Sequence, residues 1–149
     1  MNFLINREDD LAVRICAFLA AYYGEEPIPL SVIAKELYIS RAFTSKIVHQ
    51  LVKNEILGSV QGRYGGVFLK KDPRKTSVYA ILEALNFRMA INECLIRPAV
   101  CPFNEDCKIH NFFAEQQKIL IENFQNTMII DLAFNKRSLK KSNKRKEVV

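Results

Sequence analysis

Residues 40–71 read SRAFTSKIVHQLVKNEILGSVQGRYGGVFLKK, and this stretch decides the fold. Ser40 stands where an N-cap is expected, at the head of a helix running to about Asn54. At roughly 100° per residue, Phe43, Ile47, Val48 and Leu51 fall on one side of that helix; Arg41, Ala42, Ser45, Lys46 and His49 fall on the other. Residues 57–61 and 67–69 then read as two short strands around GRYGG, a glycine-rich hairpin that carries Arg63 and Tyr64 and is followed by Lys70 and Lys71. Taken singly, the helix reads equally as an ordinary bundle surface and the hairpin as a plain turn. A helix with a small, basic outer face followed directly by a basic hairpin is the order of a recognition helix and the wing of a winged helix-turn-helix.

Working outward, Leu11, Ile15, Phe18, Leu19 and Tyr22 recur at helical spacing from Asp10, and Gly24 marks the end of that helix. Cys16 lies within it and reads as core. Pro27 and Pro29 lead to a short second helix, for which Ser31 is the expected N-cap and Ile33, Ala34 and Leu37 the inward face. Beyond the hairpin, Ser77 opens a helix, VYAILEAL, that ends near Asn86. A long helix is expected from about Asp106, with Ile109, Phe112, Phe113, Ile119, Leu120 and Phe124 along it, and Thr127 is the expected cap of a last short helix, MIIDLAF. Burying one such side chain stabilises by roughly 1.5–3 kcal/mol. A small winged domain cannot cover so many, so the long helix is expected to pair with its copy in a second subunit about a two-fold axis. Two recognition helices and two wings would then match a palindromic site.

The expected fold class is therefore mainly α with a small β wing: a winged helix-turn-helix plus a long C-terminal dimerisation helix. Residues 1–75 form the expected DNA-binding domain, 76–134 carry the cysteine loop and dimerisation helices, and 135–149 form a basic, disordered tail.

The net charge of +6 resides in that tail, where seven Lys or Arg face one Glu; the first 134 residues hold 15 basic and 15 acidic groups. Residues 35–75 are nevertheless locally basic, with nine Lys or Arg against Glu36, Glu55 and Asp72. The acidic start, MNFLINREDD, lacks the basic region of a signal peptide, and no apolar run approaches a membrane span, so a cytoplasmic location away from the membrane is expected. No G-x-x-x-x-G-K loop follows a strand. No paired carboxylates or nucleophile–base arrangement supports hydrolysis, and no enzymatic activity is expected.

Residues 94–110, CLIRPAVCPFNEDCKIH, hold three of the four cysteines and one of the two histidines. Six residues separate Cys94 from Cys101 and five separate Cys101 from Cys107, wider than the C-x2-C hooks of structural zinc. Pro98 and Pro102 remove backbone donors, so an irregular loop wrapped round something is expected. Buried free cysteines, zinc and a metal-free thiol pair are alternatives. The spacing best suits an iron–sulfur cluster held by the Cys94, Cys101 and Cys107 thiolates. Three thiolates leave one ligand short, and His110 is the nearest candidate: on a helix starting near Asp106, Cys107 and His110 share a face at i and i+3.

This order of elements resembles the IscR/NsrR-type regulators, the Rrf-two family of bacterial transcription factors, over about residues 3–134. The specific marks are DLAVR at 10–14, GRYGG at 62–66 and C-x-x-H at 107–110. The resemblance implies a homodimer that binds double-stranded promoter DNA and senses iron, cluster supply, nitric oxide or redox state. The C-x-x-H pattern is similar to that of the iron–sulfur assembly regulator, implying His110 beside a 2Fe-2S cluster. The D-L-A-x-R start is similar to that of the nitric-oxide sensor, implying Asp10 of a partner subunit beside a 4Fe-4S cluster. Glu8 and Asp9 are lesser candidates, and all three acids also suit a solvated helix start. Many members read R-G-x-G-G-G in the wing, where this chain has Gln61 and Tyr64; Arg63 is the available cation. The expected DNA contacts are Arg41, Ser45, Lys46, His49, Arg63 and Tyr64, with His49 a phosphate contact or solvent-facing rather than a metal ligand. The alternatives are a cluster-free thiol-switch regulator and an iron–sulfur electron carrier, the latter leaving the helix and wing without a task.

Overall fold

Asn6 starts the fold. Its side chain accepts from the Asp9 backbone N–H at 2.9 Å and Asp9 returns a bond to the Asn6 N–H at 3.4 Å, so α1 (Arg7–Ala20) begins ahead of Asp10. The computed structural model describes residues 5–103 and 106–136. The helix is the hub of the core: Ala12, Ile15, Cys16, Phe18 and Leu19 are buried against Ile33, Ile47, Leu51, Ile81 and Ile129. Gly24, at φ +80°, closes the turn after it.

Ile28 then does something the sequence does not announce. Flanked by Pro27 and Pro29, it forms an antiparallel bridge with Val67, adding a one-residue third strand to the wing. The chain leaves that bridge at Pro29, whose carbonyl accepts from Val32 (2.9 Å) and Ile33 (3.2 Å) and so starts α2 (Leu30–Glu36). Ser31 is consequently inside the helix and caps nothing, a correction to the expectation above. Tyr38, at φ +56°, makes the tight turn into α3 (Arg41–Lys53). Ser40 caps α3 as expected, accepting from the Phe43 N–H at 3.2 Å. Thr44, Ile47, Val48 and Leu51 are buried, and Thr44 donates its hydroxyl proton to the Ser40 carbonyl at 2.9 Å.

The hairpin pairs β1 (Leu57–Val60) with β2 (Gly66–Leu69) in antiparallel register, Leu57 opposite Leu69 and Val60 opposite Gly66. Its glycines have two separate tasks. Gly62 lies at φ +106°, whereas Gly66 is needed for clearance: a Cβ there would stand 2.5 Å from the Ile28 carbonyl carbon.

Ser77 caps α4 (Val78–Glu83), accepting from the Ala80 N–H at 3.1 Å. The cysteine segment is more ordered than the expected irregular loop. It forms one helical turn, α5 (Glu93–Ile96), and a 3-10 turn at Pro98–Val100 that Pro98 begins. The long helix, α6 (Lys108–Asn126), follows, with Cys107 at its N-cap and none of its residues buried. Thr127 does not cap a final α-helix. Its carbonyl accepts from Val78 (2.9 Å) and the chain makes a 3-10 turn at Ile129–Leu132, because the Ser77–Met128 bridge holds the backbone extended there. Phe134 closes on α1 through a bond to the Ala17 carbonyl. Most of the basic tail lies outside the described residues; Lys136 pairs with Glu25 and sits 4.5 Å above the Tyr22 ring. The result is mostly helical with a two-stranded antiparallel wing, as expected.

Candidate functional site

Two places concentrate the polar and soft side chains. The first is the groove between α3 and the wing. Arg41, Ser45 and His49 from α3 and Gln61, Gly62 and Arg63 from the hairpin line one open cavity of about 540 Å³. The α3 residues come together because i, i+4 and i+8 stack on one helix face, and its apolar face is spent on the core. Tyr64 stands at the wing tip, 85 % exposed, with the Arg63 guanidinium 5.7 Å from its ring centroid. Four of the six expected DNA contacts therefore share one surface, with Tyr64 at its edge.

Lys46 is differently placed. Its ammonium donates to Glu8 Oε2 at 2.7 Å, and Gln50 donates to Glu8 Oε1 at 3.2 Å. Glu8 thus ties the start of α1 to α3, a long-range contact invisible in a list of helix-start acids. Asp9 is spent on the Asn6 cap, where burial pushes its carboxyl above the usual range while the Asn6 backbone N–H that donates to it pulls the other way. Asp10 pairs with Arg14 at 2.8 Å across one turn. Ser31 of α2 and Ser59 of β1 also line the groove; neither was expected there, because nothing in the sequence distinguishes a small groove-facing hydroxyl from any other.

The second place is the cysteine segment. Cys94 from α5, Cys101 from the loop, and Cys107 and His110 from the start of α6 line one concavity of about 670 Å³, together with Pro102, Phe103, Asp106 and Ile109. All three thiols are half-buried and free. Cys94 Sγ contacts Asn92 Oδ1 at 3.4 Å, and the Ile91 N–H donates to Gln117 Oε1 at 3.0 Å, tying the loop to α6. Among the described residues no three Cys, His, Asp or Glu side chains converge closely enough to hold one metal ion.

His110 supplies the test of fit. Its Nδ1 is buried and has no hydrogen-bond partner among the described residues. An unsatisfied buried nitrogen costs on the order of 1–3 kcal/mol, and a metal-bound group beside it would remove that cost. Asp10 does not line this concavity of its own chain. Cys16 is buried in the core, where desolvation pushes its thiol far above the ordinary range and leaves it inert.

A three-helix core with a short wing and a basic groove between α3 and the hairpin defines the winged helix-turn-helix class of DNA-binding proteins. Residues 5–135 match the Rrf2 family, described as iron-dependent transcriptional regulators, and the chain belongs to that family. A protein of Aquifex aeolicus named as an HTH-type transcriptional regulator is 32 % identical over 125 residues, 80 % of this chain and 87 % of that one. Among solved structures, CymR, the global cysteine regulator of B. subtilis, superposes with a TM-score of 0.69 at 21 % identity, covering 87 % of this chain and 95 % of its own. IscR of T. potens superposes with a TM-score of 0.67 at 20 % identity, covering 87 % and 85 %. The chain is a transcriptional regulator and not an enzyme. Among the described residues no helix is long and apolar enough to cross a membrane.

Proposed function

We propose that the protein is a homodimeric, cytoplasmic regulator whose grip on promoter DNA is set by an iron–sulfur cluster held by Cys94, Cys101, Cys107 and His110. The observation that carries this reading is that three thiols and His110 line one concavity, and that His110 has a buried Nδ1 without a hydrogen-bond partner among the described residues. When bound, the cluster supplies thiolate–iron bonds that oxidation or nitric oxide can break. Asp10 of a partner subunit is the competing fourth ligand. On the DNA side, Arg41, Ser45, His49 and Arg63 take the groove of the duplex and Tyr64 meets its edge.

A packed route joins the two sites. Gln117 holds the cysteine loop on α6, α6 packs on α4, and α4 packs on α1. Asn54, at the end of α3, donates to the Ala84 carbonyl at 2.9 Å, which fixes the recognition helix to the end of α4. Displacing the loop therefore tilts α6 and α4 and, through Asn54, changes how α3 is presented.

The test is anaerobic binding to duplexes enriched by repeated rounds of selection, before and after the cluster is destroyed by air. Affinity should change by at least tenfold and fall steeply with salt; equal affinity in both states would overturn the reading. A metal-free thiol switch is the second reading, favoured by three half-buried free thiols within one concavity. It requires only two of them, so one of the three single Cys→Ser variants would keep its response.

A further inference from the structure

Lys46 lies on the exposed half of α3, where a cation would be expected to serve DNA, yet its ammonium is already taken. Glu8 accepts from Lys46 Nζ at 2.7 Å with one carboxylate oxygen and from Gln50 Nε2 at 3.2 Å with the other. Lys46 and Gln50 are one turn apart on the same face, so a single carboxylate closes both donors. The Glu8 side chain is 24 % exposed against 57 % for Lys46, so the acid is held in the fold and the base is the member free to swing. A carboxylate and a phosphate ask the same thing of this pair, an oxyanion for an ammonium and an amide.

We propose that Glu8 is an intramolecular competitor for DNA phosphate, withholding Lys46 and Gln50 from the duplex and so setting how weakly the protein binds nonspecific DNA. On a fitting site Lys46 exchanges Glu8 for a backbone phosphate; on a poor one it stays with Glu8. The inference rests on the reading that α3 faces the duplex.

Binding of the full chain to a nonspecific duplex, measured against salt, tests it. Glu8→Gln should bind tighter by roughly two- to fivefold, the scale of a partly exposed ion pair. The log–log salt slope should steepen by about one. Glu8→Asp keeps the charge at the helix start but is one methylene too short, and should move both quantities the same way. In a Lys46→Met background both effects should vanish, whereas a general charge effect would persist. Unchanged or weaker binding by both Glu8 variants, or an effect that survives in Lys46→Met, would overturn the proposal. Arg41→Ala and Arg63→Ala are the separate check on the groove: if they weaken binding while the Glu8 variants do not, the groove reading stands and the clamp alone falls. If neither Arg variant weakens binding, the clamp loses its premise and is overturned with the groove.

Discussion

Ile28 and Val67 exchange both backbone hydrogen bonds, the Ile28 N–H to the Val67 carbonyl at 2.9 Å and the return bond at 2.8 Å. This pair joins the residue just ahead of α2 to the inner strand of the wing. A two-stranded hairpin is marginal by itself, so the bridge fixes the angle between wing and helix-turn-helix, and with it the groove that Arg41, His49 and Arg63 line.

Gly66→Ala should break that joint. The added Cβ would press on the Ile28 backbone, from which it would be separated by 2.5 Å. Overpacking of this kind costs about 1–3 kcal/mol. The urea midpoint should fall accordingly, and duplex affinity should fall with it; a midpoint equal to wild type would show that the wing angle is not set by this contact.

The exposed face of α6 makes a second prediction. Phe112 and Ile119 are 57 % and 43 % exposed in the single chain. If they meet a second copy, sedimentation of wild type should give twice 17.2 kDa, and Phe112→Glu with Ile119→Glu should give one chain mass. Their side chains lie outside the core, so the melting temperature of the separated chain should reflect only the lost partner.

Asp72 gives a pH dependence. Hydrogen bonds from the Arg74 side chain and backbone N–H hold its carboxyl down to about 2, against the usual 3.8. A lowered folded-state pKa contributes stability that is present above the unfolded value and lost as pH falls through the folded one. The gap in urea midpoint between wild type and Asp72→Asn should therefore be open at pH 5 and close between about pH 4 and pH 2. A gap constant across that range would mean the Arg74 contacts do not form.

Much of this was legible in local pattern. Ser40 and Ser77 are caps, α3 divides into an apolar and a basic face, and GRYGG turns a hairpin, because each depends on residues within a few positions of one another. What escaped notice depends on distant partners. Ser31 lost its capping role because Ile28 was committed to Val67, and the Thr127 helix was pre-empted by the bridge to Ser77. Glu8 looked like a solvated acid until α3 folded against α1. The cysteines stand out as a cluster by spacing alone, but the four-residue turn that carries Cys94 is too short to show a helical period ahead of Pro98. The buried Nδ1 of His110 is a property of packing and has no counterpart in the C-x-x-H spacing.

The most direct measurement is the iron and acid-labile sulfide content of protein purified without oxygen, for wild type and for Cys94→Ser, Cys101→Ser, Cys107→Ser, His110→Ala and Asp10→Ala. Iron and sulfide in equal amounts are predicted for wild type, abolished by each Cys variant, diminished or labile in His110→Ala and retained in Asp10→Ala. Colourless wild-type protein with neither iron nor sulfide would contradict the cluster, and loss in Asp10→Ala with full retention in His110→Ala would contradict the assignment of its fourth ligand.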